Sequence, residues 1–391
     1  MSPTIGYYAA IFSLGLAVSV LGPTLPALAR HTHTDLGQIS VLFTALALGY
    51  MLGALQGGRW YDRWPGHTVL TAGLVAMALA MVLTPLMPSL WLLALVVLFL
   101  GAGGGVVDAG SNTLLLWVHR GRAGPWMNGL HFCFGLGALL APVVTVQMTL
   151  HRGGLTWAYW TLAVLMLPGA LWLFRLPSPA MPQSVRDQPQ GQQKCLLVLL
   201  LALFAALYVG AEMGFGGWIF SYAVARHLSD TADAAYLTAV FWGAMTAGRL
   251  LAVGLATRLG PSTIILADLV GCMASTGLIM LDASSATLMW LGTCGLGVSM
   301  ASIFPTLLVF AERHTTITGQ VTGALLVGAS VGGMLLPWRI GQGFASIGPS
   351  VLPATILVAL MVAAVVFIGA MGYARRDALR KRRDRLEQRL M

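Results

Sequence analysis

The stretch LWLLALVVLFLGAGGGVVDAGSNTLLLWV, from Leu90 to Val118, contains one charged residue, Asp108. About 20 apolar residues at 1.5 Å rise cross a hydrocarbon core of about 30 Å, so this run reads as a membrane-spanning helix with an acid inside it. A second uncharged run, Cys195 to Ala225, encloses Glu212 in the same way. An ionised side chain at mid-bilayer costs about 2.5 to 3.5 kcal/mol on insertion scales, so an acid kept there faces a polar cavity or carries a proton. Such a chain is a pathway more than an anchor, and transport is the leading expectation.

The rest of the chain extends that reading. With 57% hydrophobic and 9% charged residues over 391, and a mean hydropathy of +0.81, it cannot cover the surface of a soluble globule. Crossing-length apolar stretches begin near Gly6, Leu36, Thr68, Leu90, Pro125, Leu155, Cys195, Asp233, Ser262, Ala286, Thr318 and Pro349. The expected fold class is an all-α integral membrane protein of twelve transmembrane helices. The N-terminus has no basic region and no small-residue cleavage site, so the first span reads as retained.

An even number of spans puts both termini on one side, and basic residues identify it as the cytoplasm. Arg59, Arg63, Arg120, Arg122, Arg175, Arg186, Lys194, Arg258 and Arg313 fall there, with eight Lys/Arg from Arg375 to Arg389. Arg30, Arg152, Arg226 and Arg339 fall outside, and Arg249 lies within a span. The expected location is the inner or plasma membrane, multi-pass, with both termini cytoplasmic. The tail from Ala374 to Met391 reads either as a helix lying on anionic lipid or as a solvated segment that fixes topology. The net charge of +9 reflects this topology, and no nucleic-acid role is expected.

Cys133, Cys195, Cys272 and Cys294 form no CxxC pair, and no His stands at ligand spacing. Neither disulfides nor a metal site nor a cofactor is expected. The glycines at 101–105 precede a hydrophobic helix without a Lys-Ser/Thr pair, so no nucleotide loop and no enzyme class is supported. The expected partners are a small-molecule substrate, a coupling ion (H⁺ or Na⁺) and the bilayer, around a monomer.

A polar interruption with Pro177, Pro179, Pro182 and Pro189 suits a linker between two six-span halves. The expected division is 1–176, linker 177–194, 195–373 and a basic tail 374–391. The halves match at an offset near 195: Asn112-Thr-Leu-Leu-Leu with Pro305-Thr-Leu-Leu-Val, and Gly137-Ala-Leu-Leu-Ala-Pro142 with Gly332-Gly-Met-Leu-Leu-Pro337. Arg63 and Arg258 head corresponding loops. Matches in register point to duplication.

Candidate site residues follow from helical spacing. Gly101, Gly105, Asp108 and Asn112 share one face of span 4, where the glycines admit a neighbour and the polar pair faces a cavity. In span 7, Gly210, Gly214, Gly216 and Gly217 crowd around Glu212 and weaken the helix by about 1 kcal/mol each, so a bend is expected. Glu212 shares a face with Tyr208, whereas Trp218 lies about 120° away on a regular helix and joins Glu212 only if the helix unwinds. Glu212 as hydroxyl acceptor and Trp218 as an aromatic platform form the substrate expectation; an interface-belt Trp is the alternative. Asn128, His131, Phe132 and Gly135 form a stripe on span 5, with His131 either binding substrate, sharing a proton with Asp108, or making an interhelical hydrogen bond. Trp242 in span 8 shares a face with Arg249, which is assigned to the cytoplasmic gate.

The loop Gly58-Arg-Trp-Tyr-Asp62-Arg63-Trp-Pro-Gly66 resembles the GxxxDRxGR loop of the major facilitator superfamily, with one residue inserted and His67 in a basic position. Gly58, Asp62, Arg63 and Arg258, with Arg249, are the expected cytoplasmic gate. Within the superfamily, four segments are similar to the branch of fucose permeases and animal sodium-dependent glucose transporters: Asp108-Ala-Gly-Ser-Asn112, Leu130 to Gly137, Tyr208 to Glu212 with Gly216-Gly217-Trp218, and Phe241-Trp242 with Gly248-Arg249. The resemblance implies a major facilitator fold of two pseudo-symmetric halves, cation-coupled uptake of a monosaccharide or similar polar solute, and Asp108 as the proton-binding acid. Asn112, Asn128, His131, Glu212, Trp218 and Trp242 are the expected substrate residues. One departure is that Tyr7 to Leu28 lacks the acid that fucose permeases carry in the first helix. The alternative function is a proton-coupled exporter of drugs or metabolites, whose pocket is expected to be more apolar and poorer in amides.

Overall fold

A computed structural model describes residues 3–119, 124–152, 154–179, 195–256, 258–315 and 319–390. Within them the regular elements are all helical, as lipid demands of a chain whose backbone groups must find partners inside their own segment. Twelve helices follow the expected spans: α1 (Pro3–Ser19 and Leu21–His31), α2 (Leu36–Ile39 running into Val41–Tyr61), α3 (Gly66–Leu83), α4 (Leu90–His119), α5 (Gly124–Arg152) and α6 (Leu155–Phe174) form one half. The second half holds α7 (Cys195–Ala225), α8 (Thr231–Ala256), α9 (Pro261–Leu281), α10 (Ala286–Met300 and Ile303–His314), α11 (Gly319–Ser346) and α12 (Val351–Leu390). Ten are long and apolar enough to cross a membrane, and bent α1 makes an eleventh if taken as one span. The remaining one, α8, has the length with 26 residues; over its described side chains alone it is not among the ten.

Proline stands at two of the three interruptions, those of α1 and α10, and not at Ser40 of α2. Its ring clashes with the carbonyl four residues back and offers it no N–H. Pro23 stands four residues after Ser19, where α1 bends by 49°. Pro305 stands four residues after Ala301, where α10 is interrupted. The bend expected in span 7 is absent: α7 is one continuous helix of 31 residues. Its glycines serve close approach instead, with Gly210 against Gly332 of α11, Gly216 against Trp242 of α8 and Gly217 against Phe43 of α2.

Helix pairing repeats between the halves. In each half the first helix packs on the fifth, the second on the fourth and the third on the sixth, and the halves meet where α2 packs on α11 and α5 on α8. The internal repeat sits at equivalent contacts: Gly137 of α5 lies on the Phe12 carbonyl of α1, and Gly332 of α11 lies on the Ala206 carbonyl of α7. Between α2 and α4 the approach is reciprocal, since Gly49 and Gly53 rest on the backbone at Leu98 and Ala102, while Gly101 and Gly105 rest on the carbonyls of Leu46 and Tyr50. Small residues at such a seam let backbones touch, and lipid-exposed side chains then need supply no packing there. Of the expected linker, residues 180–194 lie outside the described residues, as do Arg120, Arg122, Arg186 and Lys194 of the basic count. The tail continues α12 as helix to Leu390.

Gly105→Ala places a methyl group into the Tyr50 carbonyl and is expected to cost about 1 to 3 kcal/mol, as overpacking of a close seam does. Gly369→Ala, at a position with open space beside it, is expected to leave stability unchanged or slightly raised. Thermal unfolding of the two variants in detergent, side by side, checks this; equal midpoints would contradict the seam.

Candidate functional site

A cavity of about 270 Å³ lies between the halves, walled by α1, α2, α4 and α5 on one side and α7, α8, α10 and α11 on the other. The seam of α2 and α4 determines its chemistry. Because Gly105 sits on the Tyr50 carbonyl, Tyr50 is delivered beside Asp108, and its hydroxyl donates to Asp108 Oδ2 at 2.5 Å. Asn112 Nδ2 donates to Asp108 Oδ1 at 3.0 Å and to the Asp108 carbonyl at 2.9 Å. The carboxyl group therefore holds two neutral donors and, among the described residues, no basic hydrogen-bond partner.

Glu212 enters from the opposite half, 6% exposed and at the cavity wall. Tyr208, one turn earlier on α7, is within hydrogen-bonding reach of it but gives its single proton to the Met300 carbonyl, at 2.8 Å, beside the break of α10. Arg249 of α8 lies at the same cavity, and its charge acts on Glu212. One guanidinium nitrogen donates to the His131 carbonyl at 3.3 Å, and the group lies 5.9 Å from the Phe134 ring centre, within cation–π range. Trp242 packs edge-on to Phe134 at 6.2 Å. Its Nε1 and the Nε of Arg249 are buried donors without a partner among the described residues, which leaves hydrogen-bonding capacity at the wall.

The expected residues are distributed unevenly over this geometry. Asp108, His131, Glu212 and Trp242 line the cavity. Asn112 does not, because its amide is bound to Asp108. Asn128 is exposed one turn nearer the start of α5 and is not part of the wall. No hydrogen bond joins His131 to Asp108 among the described residues. Trp218 is fully buried elsewhere: on a helix that does not unwind, it faces away from Glu212, packs against Phe43 and Phe344 and donates to the Pro337 carbonyl at 2.9 Å. Arg249, expected at the gate, belongs to the cavity. Gly58, Asp62, Arg63 and Arg258 are all exposed, and it is Gly57, not Gly58, that meets α4, at Val106. His67 is buried, bonded to Tyr7 Oη at 2.8 Å and to the Leu176 carbonyl at 3.0 Å, so it fastens α1, α3 and the end of α6 together.

Two groups carry no role in the sequence reading. Tyr50 has a signal in the glycines at 49, 53 and 57, a four-residue repeat that marks a helix seam. Asp268 is a third acid within an apolar helix, and it accepts a hydrogen bond from Ser302 at the break of α10.

The cavity is closed at the end where α1 joins α2. There Gln342 Nε2 donates to the Gly37 carbonyl at 2.7 Å, Thr44 Oγ1 to the Met334 carbonyl at 3.4 Å and Gln147 Nε2 to Tyr236 Oη at 2.9 Å. Gly22 of α1 rests on the carbonyls of Gly216 and Gly217 of α7. Each of these contacts crosses between the halves. The loop charges at Asp62, Arg63 and Arg258 stand at the other end, which carries both termini, and are exposed there.

The sequence pattern of the Major Facilitator Superfamily matches residues 7–337. Over 372 residues the chain is 32% identical to the sodium-dependent glucose transporter 1A of Mus musculus, covering 85% of this chain and 88% of that one. It is 29% identical over 371 residues to the sodium-dependent glucose transporter 1 of Homo sapiens, covering 85% and 72%. Among solved structures, a D-xylose-proton symporter superposes with a TM-score of 0.73 at 12% identity, covering 92% of this chain and 96% of that one, a likeness of fold.

If the glycine at 341 permits the closed end, Gly341→Val is expected to open it, since a side chain there overlaps Ser40 and Trp218. In a background without the native cysteines, a cysteine at Met213 should then react faster with an impermeant maleimide added from the α1–α2 end. An unchanged rate would reject this closure.

Proposed function

The chain belongs to the Major Facilitator Superfamily, to the branch that holds the sodium-dependent glucose transporters 1, and from that premise we propose that it takes up a monosaccharide or similar small polar solute by alternating access. The observation that carries the reading is the pairing of Asp108 and Glu212 across one cavity, each contributed by a different half. In this reading Asp108 is the coupling acid. It holds only neutral donors, so an arriving proton or Na⁺ compensates its charge without displacing a basic residue. The relatives are named for sodium dependence, and the fold neighbour for a proton; either ion suits a carboxyl group with two oxygen-directed donors.

Glu212 is the substrate acceptor in this scheme. Its tyrosine neighbour has spent its proton on Met300, so the carboxyl group is left to accept from solute hydroxyls. Arg249 and Trp242 supply donors without partners, and Trp242 with Phe134 replaces Trp218 as the aromatic face. Asn112 acts through Asp108. Alternating access follows if the end closed by Gly37, Ser40 and Gln342 opens while Asp62, Arg63 and Arg258 draw together at the other. With both termini in the cytoplasm, the described conformation opens inward. A periplasmic reporter signal from a fusion after Met391 would contradict that orientation.

A second reading has one observation in its favour: apart from its charged groups the cavity wall is mainly apolar and, among the described residues, contains no Asn or Gln. That composition suits proton-coupled export of an amphipathic solute.

Uptake into proteoliposomes, with pH and Na⁺ gradients imposed separately, tests both. Asp108→Asn is expected to abolish accumulation against a gradient and to leave exchange, because the amide keeps the shape yet binds no proton. Glu212→Gln is expected to weaken the preferred sugar by about tenfold to a hundredfold, the loss of one charge-assisted hydrogen bond. Full accumulation by Asp108→Asn removes it as the coupling acid. Competition by amphipathic cations with no effect of any monosaccharide replaces uptake with export.

A further inference from the structure

A groove of about 610 Å³ opens on the flank of the second half, between the start of α9, the end of α10 and α12. It lies where the apolar runs of two helices give way to charge, at Glu312 and Arg313 of α10 and at Arg375 of α12, and so at the boundary of the bilayer. Its deeper wall is apolar. Ile368 is 55% exposed and Met371 half-buried, Phe310 is the buried residue beneath them, and the exposed Gly372 leaves the helix face bare, since a Cβ there meets nothing within 4 Å. Arg375, seven residues beyond Ile368 and so about 10 Å along the helix axis, stands at the rim with His314.

The rim is arranged for an anion. His314 Nδ1 lies 2.8 Å from the Phe310 carbonyl; a carbonyl only accepts, so Nδ1 carries the hydrogen, and the ring borders the groove without offering a phosphate a donor from Nε2. Stacking on Phe310 at 4.3 Å holds the ring in that orientation. Arg375 offers a planar fork of donors suited to a phosphate, and Arg313 and Arg376 stand exposed nearby, with Glu312 and Asp377 as the neighbouring acids. Apolar depth below a cationic rim, at the height where headgroups lie, matches the two ends of one molecule.

We propose that this groove holds one anionic phospholipid, its phosphate on Arg375 and an acyl chain along Ile368, Met371 and the bare face at Gly372. The apolar wall at Ile368 and Met371 favours a chain, and the rim favours net negative charge over a zwitterion. The site is separate from the central cavity and independent of the solute carried there.

Native mass spectrometry of the full-length protein, with phosphatidylglycerol or phosphatidylcholine added at equal concentration, tests it. The expected result is one phosphatidylglycerol retained in preference to phosphatidylcholine. Arg375→Gln is expected to weaken that retention about tenfold, the loss of one charge-assisted contact. Gly372→Phe fills the groove and leaves every charge in place, and it is expected to abolish the preference; its folding is checked by an unchanged unfolding midpoint without added lipid. Equal retention of both lipids would overturn the proposal. So would a preference that survives Gly372→Phe, which assigns the lipid to the basic tail, or a groove shown by cross-linking to be filled by residues 180–194.

Discussion

The approach of α4 to α2 at Gly105 is the contact on which the site depends. Two backbones that touch through glycine hold their flanking side chains in fixed register, and here that register brings a phenol to a carboxyl group. Without the seam, Asp108 would face hydrocarbon or water with only its own helix and Asn112 for company. An acid inside a membrane protein is tolerable when donors meet it, and the donors at Asp108 come from a neighbouring helix that only small residues admit. The second half solves the same problem differently. Glu212 is surrounded by glycines used by α1, α2, α8 and α11, and the positive charge facing it comes from Arg249.

Much of the architecture was legible because lipid leaves few options. Long apolar runs interrupted by basic loops give helices at the expected places, and the repeat at Gly137 and Gly332 marks equivalent contacts in two halves. The misjudged element was span 7. Its glycines weaken an isolated helix, but weakness is a local property, and close tertiary contacts on four sides keep α7 continuous. Interruptions do accompany Pro23 and Pro305, yet Pro142, Pro168 and Pro337 lie inside continuous helices.

The site was legible in its acids and less so in its partners. Asp108, Glu212, His131 and Trp242 stand out by residue type within apolar runs, and all four line the cavity. Asn112 and Trp218 share those credentials, yet one turns to its own helix and the other to the closed end. Which way a side chain is spent depends on neighbours from distant sequence, as Tyr50 for Asp108 and Pro337 for Trp218. Asp268 lies three residues from the centre of α9, and its partner Ser302 comes from distant sequence at the break of α10.

The two ends of the cavity are built from different interactions. The closed end relies on carbonyls at Gly37, Met334 and Pro337, on amides and hydroxyls, and on Trp218, none of which carries net charge. The other end presents Asp62, Arg63 and Arg258 on its loops. Dissolved salt screens charges over a Debye length of about 10 Å at 0.1 M and leaves neutral hydrogen bonds nearly untouched. Ionic strength therefore acts more on the loop charges of one end than on the hydrogen bonds that join the halves at the other, so that the balance between the two openings leans on the salt of one compartment.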